Sequence, residues 1–166
     1  MKKQITLIIA LFASATAGLA QSSSANIIIS GSVSPLAAIT ATAAPALTDT
    51  ELNSGVVDKQ MSVVNERSNR HIGYWVALKS ANAAAASSSQ ARLNPISAGN
   101  PDLINYSIKY NGVAVTLDIA GQATVTNDAV KTPSAGVNKN LTITIGAGFP
   151  AADTYSDTIT LTLTNN

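Results

Sequence analysis

The sequence predicts an all-β protein folded as an antiparallel β-sandwich. Eight or nine short segments alternate apolar with polar side chains, which is the period of a half-buried strand. Links rich in Gly, Pro, Asn and Asp separate these segments, and little of the chain carries a helical pattern. Many short strands joined by turn-rich links are typical of a β-sandwich.

Residues 1–20 have the pattern of a secretory signal peptide. Lys2 and Lys3 form a basic start, residues 5–17 are mostly apolar, and small residues precede a cleavage site before Gln21. The apolar run is short for a membrane span, and no second run of that length follows, so a retained anchor is the less favoured alternative. We therefore expect an exported chain that begins at Gln21.

The composition of that mature chain favours a structural protein over an enzyme. Removing Lys2 and Lys3 leaves 10 − 2 = 8 basic residues against 9 acidic ones, a net charge of about −1. No basic field remains to attract nucleic acid. Cysteine is absent, so an exported domain must gain its stability from a well-packed core or from assembly with neighbours.

Residues 26–35 predict a strand at the start of the mature chain. Alternate positions fall on one face, and that face carries an aliphatic set with one glycine: Ile27, Ile29, Gly31 and Val33. A strand at a free end is unusual, because chain ends normally fray. Either it is the first strand of its own domain, or it adds to the sheet edge of another chain.

Several weaker elements follow before the middle of the chain. Residues 45–55 and 65–71 predict connections, and residues 80–92 form an Ala/Ser run that predicts a loop with one helical turn, a short helix being the alternative. Residues 93–101, with two prolines, continue this connection. The predicted strands here are residues 37–43, 56–64 and 72–79.

A tight hairpin is the clearest local feature. Residues 104–110 and 113–119 each alternate apolar and polar side chains, and Asn111-Gly112 separates them. Both turn residues tolerate the positive φ of a type I′ turn. A short strand over residues 122–126 and a loop over residues 127–138 follow.

Two strands close the chain, over residues 139–146 and 154–164. In residues 154–164, alternate positions form an inward face, which Asp157 interrupts near its start. The opposite, outward face consists of Ser and Thr. The inward face consists of Tyr155, Ile159, Leu161 and Leu163.

No catalytic, cofactor-binding or metal-ligating constellation is predicted. His71 is the only histidine and lies in a polar connection, and without cysteine a Cys/His pair or zinc cluster cannot form. The carboxylates are scattered, and Gly146-Ala147-Gly148 leads to Phe149-Pro150 rather than to a helix, which favours a turn over a phosphate site. We expect Trp75 to be a buried core residue rather than a surface aromatic that contacts a sugar or a protein.

With these features in place, the sequence resembles the chaperone–usher pilins. The resemblance rests on the export signal, the alternating N-terminal strand ending Ser32-Val33-Ser34-Pro35, the absence of cysteine and the final Thr-Tyr-Ser-led strand. It is most similar to the alternate, or class 5 (alpha), major subunits of colonisation-factor type. The similarity covers both ends of the mature chain, whereas residues 45–138 match by pattern alone.

The resemblance implies an immunoglobulin-like sandwich that lacks its final strand and is completed by donor-strand exchange. It divides the chain into a signal peptide (1–20), a donor strand (21–35) and a pilin domain (36–166). The donor residues would be Ile27, Ile29, Gly31 and Val33, and the acceptor groove would be bordered by Tyr155, Ile159, Leu161 and Leu163.

The same resemblance implies the partners and the location of the protein. It would be a non-enzymatic subunit of an adhesive surface pilus, exported through the periplasm, with identical subunits, a periplasmic chaperone, an outer-membrane usher and a tip adhesin as partners. The residues alone leave a second interpretation open, that of a secreted β-sandwich adhesin or spore-coat-U-like protein that binds a carbohydrate or host surface.

Overall fold

A computed structural model describes residues 24–166 of the chain. The predicted signal peptide and its cleavage site before Gln21 lie outside the described residues. Residues Ser34–Asn166 form one compact unit, and the strands and helices described below all belong to it.

The larger of two antiparallel sheets has the strand order β1-β2-β8-β5-β4-β9, and β6 also pairs with β5. β2 and β8 form its longest ladder, and β1 lies at one edge, paired along its whole length with β2. The bounds are β1 Ala37–Ala43, β2 Val56–Ser68, β4 Arg92–Pro95, β5 Ile104–Tyr110, β6 Val113–Val115, β8 Val137–Ile145 and β9 Tyr155–Ser156.

The smaller sheet has the order β10-β3-β7, with β3 Tyr74–Ser80 in the centre, β7 Gln122–Asp128 at one edge and β10 Ile159–Asn165 at the other. The core lies between the two sheets. Its buried side chains come from alternate positions of the central strands, as a sandwich requires. They include Tyr74, Val76 and Leu78 of β3, Val64 of β2, Ile108 and Tyr110 of β5, and Leu141, Ile143 and Ile145 of β8. The predicted all-β sandwich is confirmed.

Two short helices occupy predicted connections. The loop predicted for residues 45–55 contains α1, Asp49–Ser54, so that prediction is wrong in part. Thr48 accepts the main-chain N–H of Glu51, and the Glu51 carboxylate accepts the N–H of Thr48. This capping box satisfies N–H groups that otherwise lack partners at a helix start. α2, Ala81–Ala85, is the helical turn predicted for the Ala/Ser run.

Strand boundaries differ from the predictions where tertiary pairing decides them. β2 continues to Ser68, through part of the predicted connection 65–71, because Asn65 to Ser68 pair with β1. β4 forms inside the predicted connection 93–101, where Leu93 pairs with Ile104. β6 ends at Val115, earlier than the predicted 119.

The Asn-Gly hairpin is confirmed. β5 and β6 pair directly across it, with Tyr110 opposite Val113. Asn111 and Gly112 have φ values of 50° and 80°, which is the left-handed backbone of a type I′ turn.

A buried polar cluster joins the two sheets at one end of the sandwich. Glu66 is fully buried, and its carboxylate accepts hydrogen bonds from the hydroxyls of Tyr110 (2.6 Å), Tyr74 (2.9 Å) and Thr126 (2.9 Å). Lys139 Nζ lies 3.0 Å from Glu66 Oε2. Burial and the hydrogen bonds to Glu66 raise the pKa of Tyr74 and Tyr110 well above the usual range, which keeps both hydroxyls as donors. The cluster fixes the alignment of the sheets, because each member lies on a different strand.

The strand predicted for residues 26–35 is not present in the chain as it stands. Residues 24–36 carry no strand, and β1 begins only at Ala37. A strand needs a partner for its main-chain N–H and C=O groups. The prediction is therefore wrong for a single chain, although the side-chain alternation remains.

Candidate functional site

The last strand, β10, is an unpaired edge of the smaller sheet. It pairs with β3 on one side, with Ile159 opposite Ser80 and Asn165 opposite Tyr74. No described strand pairs with its other side. An edge of this kind presents unpaired N–H and C=O groups, which can accept another strand.

The core is incomplete beneath this edge. Leu161 lies opposite Leu78, and Leu163 lies opposite Val76. Leu78 and Val76 are fully buried, whereas Ile159, Leu161 and Leu163 are only half-buried. Directly opposite residues share a face of the sheet, so the three β10 residues face the core but are only partly covered; Ile159 and Leu161 pack against the core.

β1, at the edge of the larger sheet, also has inward-facing residues that are exposed or only half-buried. Its positions opposite the buried β2 residues Ser68, Glu66, Val64 and Ser62 are the inward-facing ones. Three of these four β1 side chains are exposed alanines, and Ile39 alone is half-buried. The inward-facing set is Ala37, Ile39, Ala41 and Ala43.

β1 and β10 lie close to one another, and the exposed or half-buried inward-facing residues of both strands form one strip. We name this strip the β1–β10 groove. One end of it is closed by hydrogen bonds: Asn165 Oδ1 accepts the Ser68 hydroxyl at 2.6 Å, and Asn165 Nδ2 donates to the Leu36 carbonyl at 3.2 Å. The β1 side chains that face this strip are small, since three of the four are alanines.

Of the four predicted groove residues, the structure brings three together. Ile159, Leu161 and Leu163 lie along β10. Tyr155 does not, because the predicted strand 154–164 is split: Tyr155 lies in β9, which pairs with β4 at the far edge of the larger sheet. The Tyr155 hydroxyl donates to Ala151 O at 2.9 Å.

Asp157 separates β9 from β10, because its carboxylate turns inward and accepts hydrogen bonds there. It accepts hydrogen bonds from the Ser80 and Tyr106 hydroxyls, both at 2.6 Å, and from the main-chain N–H of Asn82 at 3.0 Å. Burial, and then the hydrogen bond to Asp157, raise the pKa of the Tyr106 hydroxyl well above its usual range. Asp157 thus fixes where β10 begins.

The predicted donor residues are exposed. The side chains of Ile27, Ile29 and Val33 are 86%, 94% and 87% exposed, and a Cβ placed on Gly31 would meet no atom within 4 Å. Soluble chains rarely expose three aliphatic side chains at alternate positions of one short segment without a partner for them.

The remaining candidates have no catalytic arrangement. His71 is exposed in the turn before β3. Trp75 was predicted to be a core residue, and this is wrong: it is 36% exposed on the outer face of β3, because the inward positions are taken by Tyr74 and Val76. Within residues 24–166, no group of His, Asp or Glu side chains is arranged to hold a metal ion. In the same residues, no helix combines the length and apolar character needed to cross a membrane.

Sequence reasoning missed the contribution of β1 to the groove. The available signal was the composition of the strand, since four of its seven residues are alanines and a fully covered core strand normally carries larger β-branched side chains. Comparison with known protein families and with curated proteins finds no match for this chain.

Proposed function

We propose that this protein is a structural subunit of an adhesive surface pilus, in which the N-terminal segment of one copy fills the β1–β10 groove of another. One observation carries the proposal. The inward-facing residues of β10 are only half-buried and those of β1 are mostly exposed, whereas those of the neighbouring strands β3 and β2 are buried. A single missing strand between the two edges accounts for both deficits.

The strand order supports the same conclusion. An immunoglobulin-type sandwich has one sheet ordered A-B-E-D and a second that contains C, F and G, with G beside F. β1-β2-β8-β5 corresponds to the first sheet, and β3 and β10 correspond to C and F. The strand without a counterpart is G, which would lie on the free side of β10.

The chemistry of the N-terminal segment suits that position. Burial of Ile27, Ile29 and Val33 supplies roughly 5–9 kcal/mol gross, at about 1.5–3 kcal/mol for each side chain. Main-chain hydrogen bonds along β10 add to this. Gly31 lets the incoming main chain pass close to the groove.

The pilus assignment also rests on the export signal and on the resemblance to class 5 pilins. In this proposal a periplasmic chaperone covers the groove before assembly, an outer-membrane usher receives the subunit, and identical subunits then polymerise towards a tip adhesin. The protein needs no cofactor for this role and catalyses no reaction.

A matched pair of single substitutions tests the donor face. Val33→Asp places a charge on the aliphatic face, and Ser32→Asp places the same charge on the opposite face. We expect Val33→Asp and Gly31→Ile to abolish fibres, as seen by electron microscopy and by loss of SDS-resistant multimers, while Ser32→Asp polymerises. Fibres of normal length from all three variants would contradict the donor assignment.

A peptide experiment tests the groove. Deletion of residues 21–33 should leave a subunit that cannot donate a strand but still binds a peptide spanning residues 25–35. The same peptide with aspartate at position 33 is the control. If intact and truncated proteins are both stable monomers, and neither binds the peptide, the proposal is wrong.

One observation favours a second function, in which the sandwich binds a carbohydrate or host surface. Trp75 is exposed on the outer face of β3, between Thr164 and Asn127 of the neighbouring strands. Exposed aromatic rings beside hydroxyl and amide groups can stack on sugars. Glycan binding that Trp75→Ala abolishes, by a protein that forms no fibres, would establish this function instead.

A further inference from the structure

The unit Ser34–Asn166 has two chemically different ends. At one end, which we name the exit end, Ser34 is held to Asn69: Asn69 Nδ2 donates to Ser34 O at 2.9 Å. The turn before β3 and residues 130–133 lie here too, since Thr132 N donates to Ser68 O at 2.9 Å. The opposite end of β2 begins at Val56, which pairs with Ile145. We name that opposite end the loop end.

The loop end exposes an aromatic side chain on a well-anchored loop. Residues 146–153 are tied to α1 by the hydrogen bond from Gly148 N to Asn53 O (2.9 Å) and to the start of β5 by that from Ala151 N to Asp102 Oδ2 (2.7 Å). Phe149 at its centre is 95% exposed. Clefts of about 460 and 440 Å³ flank it, and Leu52 lines both.

The same end is acidic. Asp102 lines one cleft, and Asp49 and Asp153 line the other. None of the three has a basic side chain within 4 Å among residues 24–166. Hydrogen bonds, chiefly from Asn100, lower the pKa of Asp153, so its negative charge persists. The loop end therefore combines an exposed aromatic ring with uncompensated negative charge.

The exit end exposes apolar and basic side chains, which complement the aromatic ring and the carboxylates of the loop end. Ile72 and Val130 are 44% and 66% exposed there. Arg67 and Lys131 are exposed at the same end, and neither forms an ion pair within the described chain. Gly73, next to Ile72, packs against the backbone of Asp128 and Ala129, so the two segments that carry Ile72 and Val130 adjoin at this end.

The direction of β10 determines which end of one copy meets which end of the next when a strand is exchanged. β10 runs from the loop end, where Ile159 pairs with Ser80, to the exit end, where Asn165 pairs with Tyr74. All strand pairs of this unit are antiparallel. A strand that enters antiparallel to β10 finishes at the loop end, so the exit end of the copy that donates it arrives at the loop end of the copy that accepts it.

We propose that the loop end, centred on Phe149, is a docking surface for the exit end of a second copy of this chain. This inference rests on the proposed strand exchange and adds a second contact to it. Phe149 covers Ile72 and Val130 of the neighbouring copy, and Asp49, Asp102 and Asp153 face its Arg67 and Lys131. The contact sets the angle between successive subunits and resists bending, which a strand linkage alone does not do.

Cysteine cross-linking of the full-length protein tests the contact, because the chain has no cysteine of its own. Polymers of the double variant Phe149→Cys/Ile72→Cys should form disulfide-linked ladders on mild oxidation. The control is Val113→Cys/Ile72→Cys, since Val113 is 70% exposed on β6 beside the Asn-Gly turn, where it pairs with Tyr110, rather than at the loop end. We expect no ladder from the control.

A second measurement does not depend on cross-linking geometry. Phe149→Ser should leave binding of the residue 25–35 peptide unchanged and speed fibre dissociation in denaturant by about tenfold to a hundredfold, the factor expected for burial of one Phe side chain. Val113→Ser is the control, with no expected change. Raised salt should speed dissociation of the wild type, because it screens the charges at the contact.

The outcomes separate this inference from the proposed function. Fibres that form without a Phe149–Ile72 ladder, and that dissociate equally fast with Phe149→Ser, overturn the docking surface and leave strand exchange intact. Failure of peptide binding and of all polymerisation overturns both.

Discussion

Replacement of Lys139 by methionine should destabilise the domain severely. Lys139 Nζ lies 3.0 Å from Glu66 Oε2 and 3.7 Å from Asp128 Oδ2, and the side chains of Lys139 and Glu66 are 13% and 0% exposed. Methionine keeps the length and apolar stem of lysine but removes the charge. Glu66 then remains buried with hydroxyl donors as its only partners.

The expected loss is about 3–5 kcal/mol, because removing one partner of a buried ion pair leaves an uncompensated charge. Urea unfolding of both proteins at pH 7, followed by Trp75 fluorescence, gives the free energy of unfolding. This is a large part of the total stability of a domain of this size.

Lys109→Met is the matched control. Lys109 Nζ lies 2.8 Å from Asp58 Oδ2, but these side chains are 40% and 45% exposed, so the expected loss is about 0–1 kcal/mol. If both variants lose less than about 1 kcal/mol, Glu66 is not held as a buried charge that depends on Lys139, and the reasoning fails.

Two further predictions concern backbone strain and acid stability. Gly73→Ala should destabilise the domain far more than Gly99→Ala in thermal unfolding: both glycines have positive φ (89° and 92°), but an added Cβ overlaps the Asp128 carbonyl at Gly73 and meets nothing at Gly99. Equal losses would show that packing at Gly73 is unimportant. Hydrogen bonds, chiefly from Asn100, lower the pKa of Asp153 below 3.8, so its stabilising effect is present above that value and is lost as the pH falls through the lowered folded-state pKa. Asp153→Asn should therefore lose less stability between pH 5 and pH 3 than the wild type, and parallel pH profiles would refute this.

Local signals in the sequence predicted the hairpin and most strands. Asn111-Gly112 needed no tertiary information, because the positive φ of a type I′ turn selects those residues directly. The alternation at Tyr74, Val76 and Leu78 likewise identified the buried face of β3.

The predictions failed where a distant partner decides the structure. Trp75 is exposed because Tyr74 and Val76 occupy the inward positions, and a period of two does not say which face is inward when both carry apolar side chains. The final strand breaks at Asp157 because Ser80 and Tyr106, which donate to it, come from elements distant in sequence. The α1 capping box at Thr48 and Glu51 was readable in the sequence and was overlooked.

The sequence by itself determined the all-β class, the register of the hairpin and the side-chain alternation at Ile27, Ile29, Gly31 and Val33, because alternation and turn chemistry are local properties. Only the tertiary structure decided that β10 and β1 are the two edges with an uncovered core between them. Whether an inward-facing side chain is covered depends on which strands are neighbours in space. That arrangement gives the proposed donor segment a candidate acceptor groove, which the substitutions at Gly31 and Val33 can test.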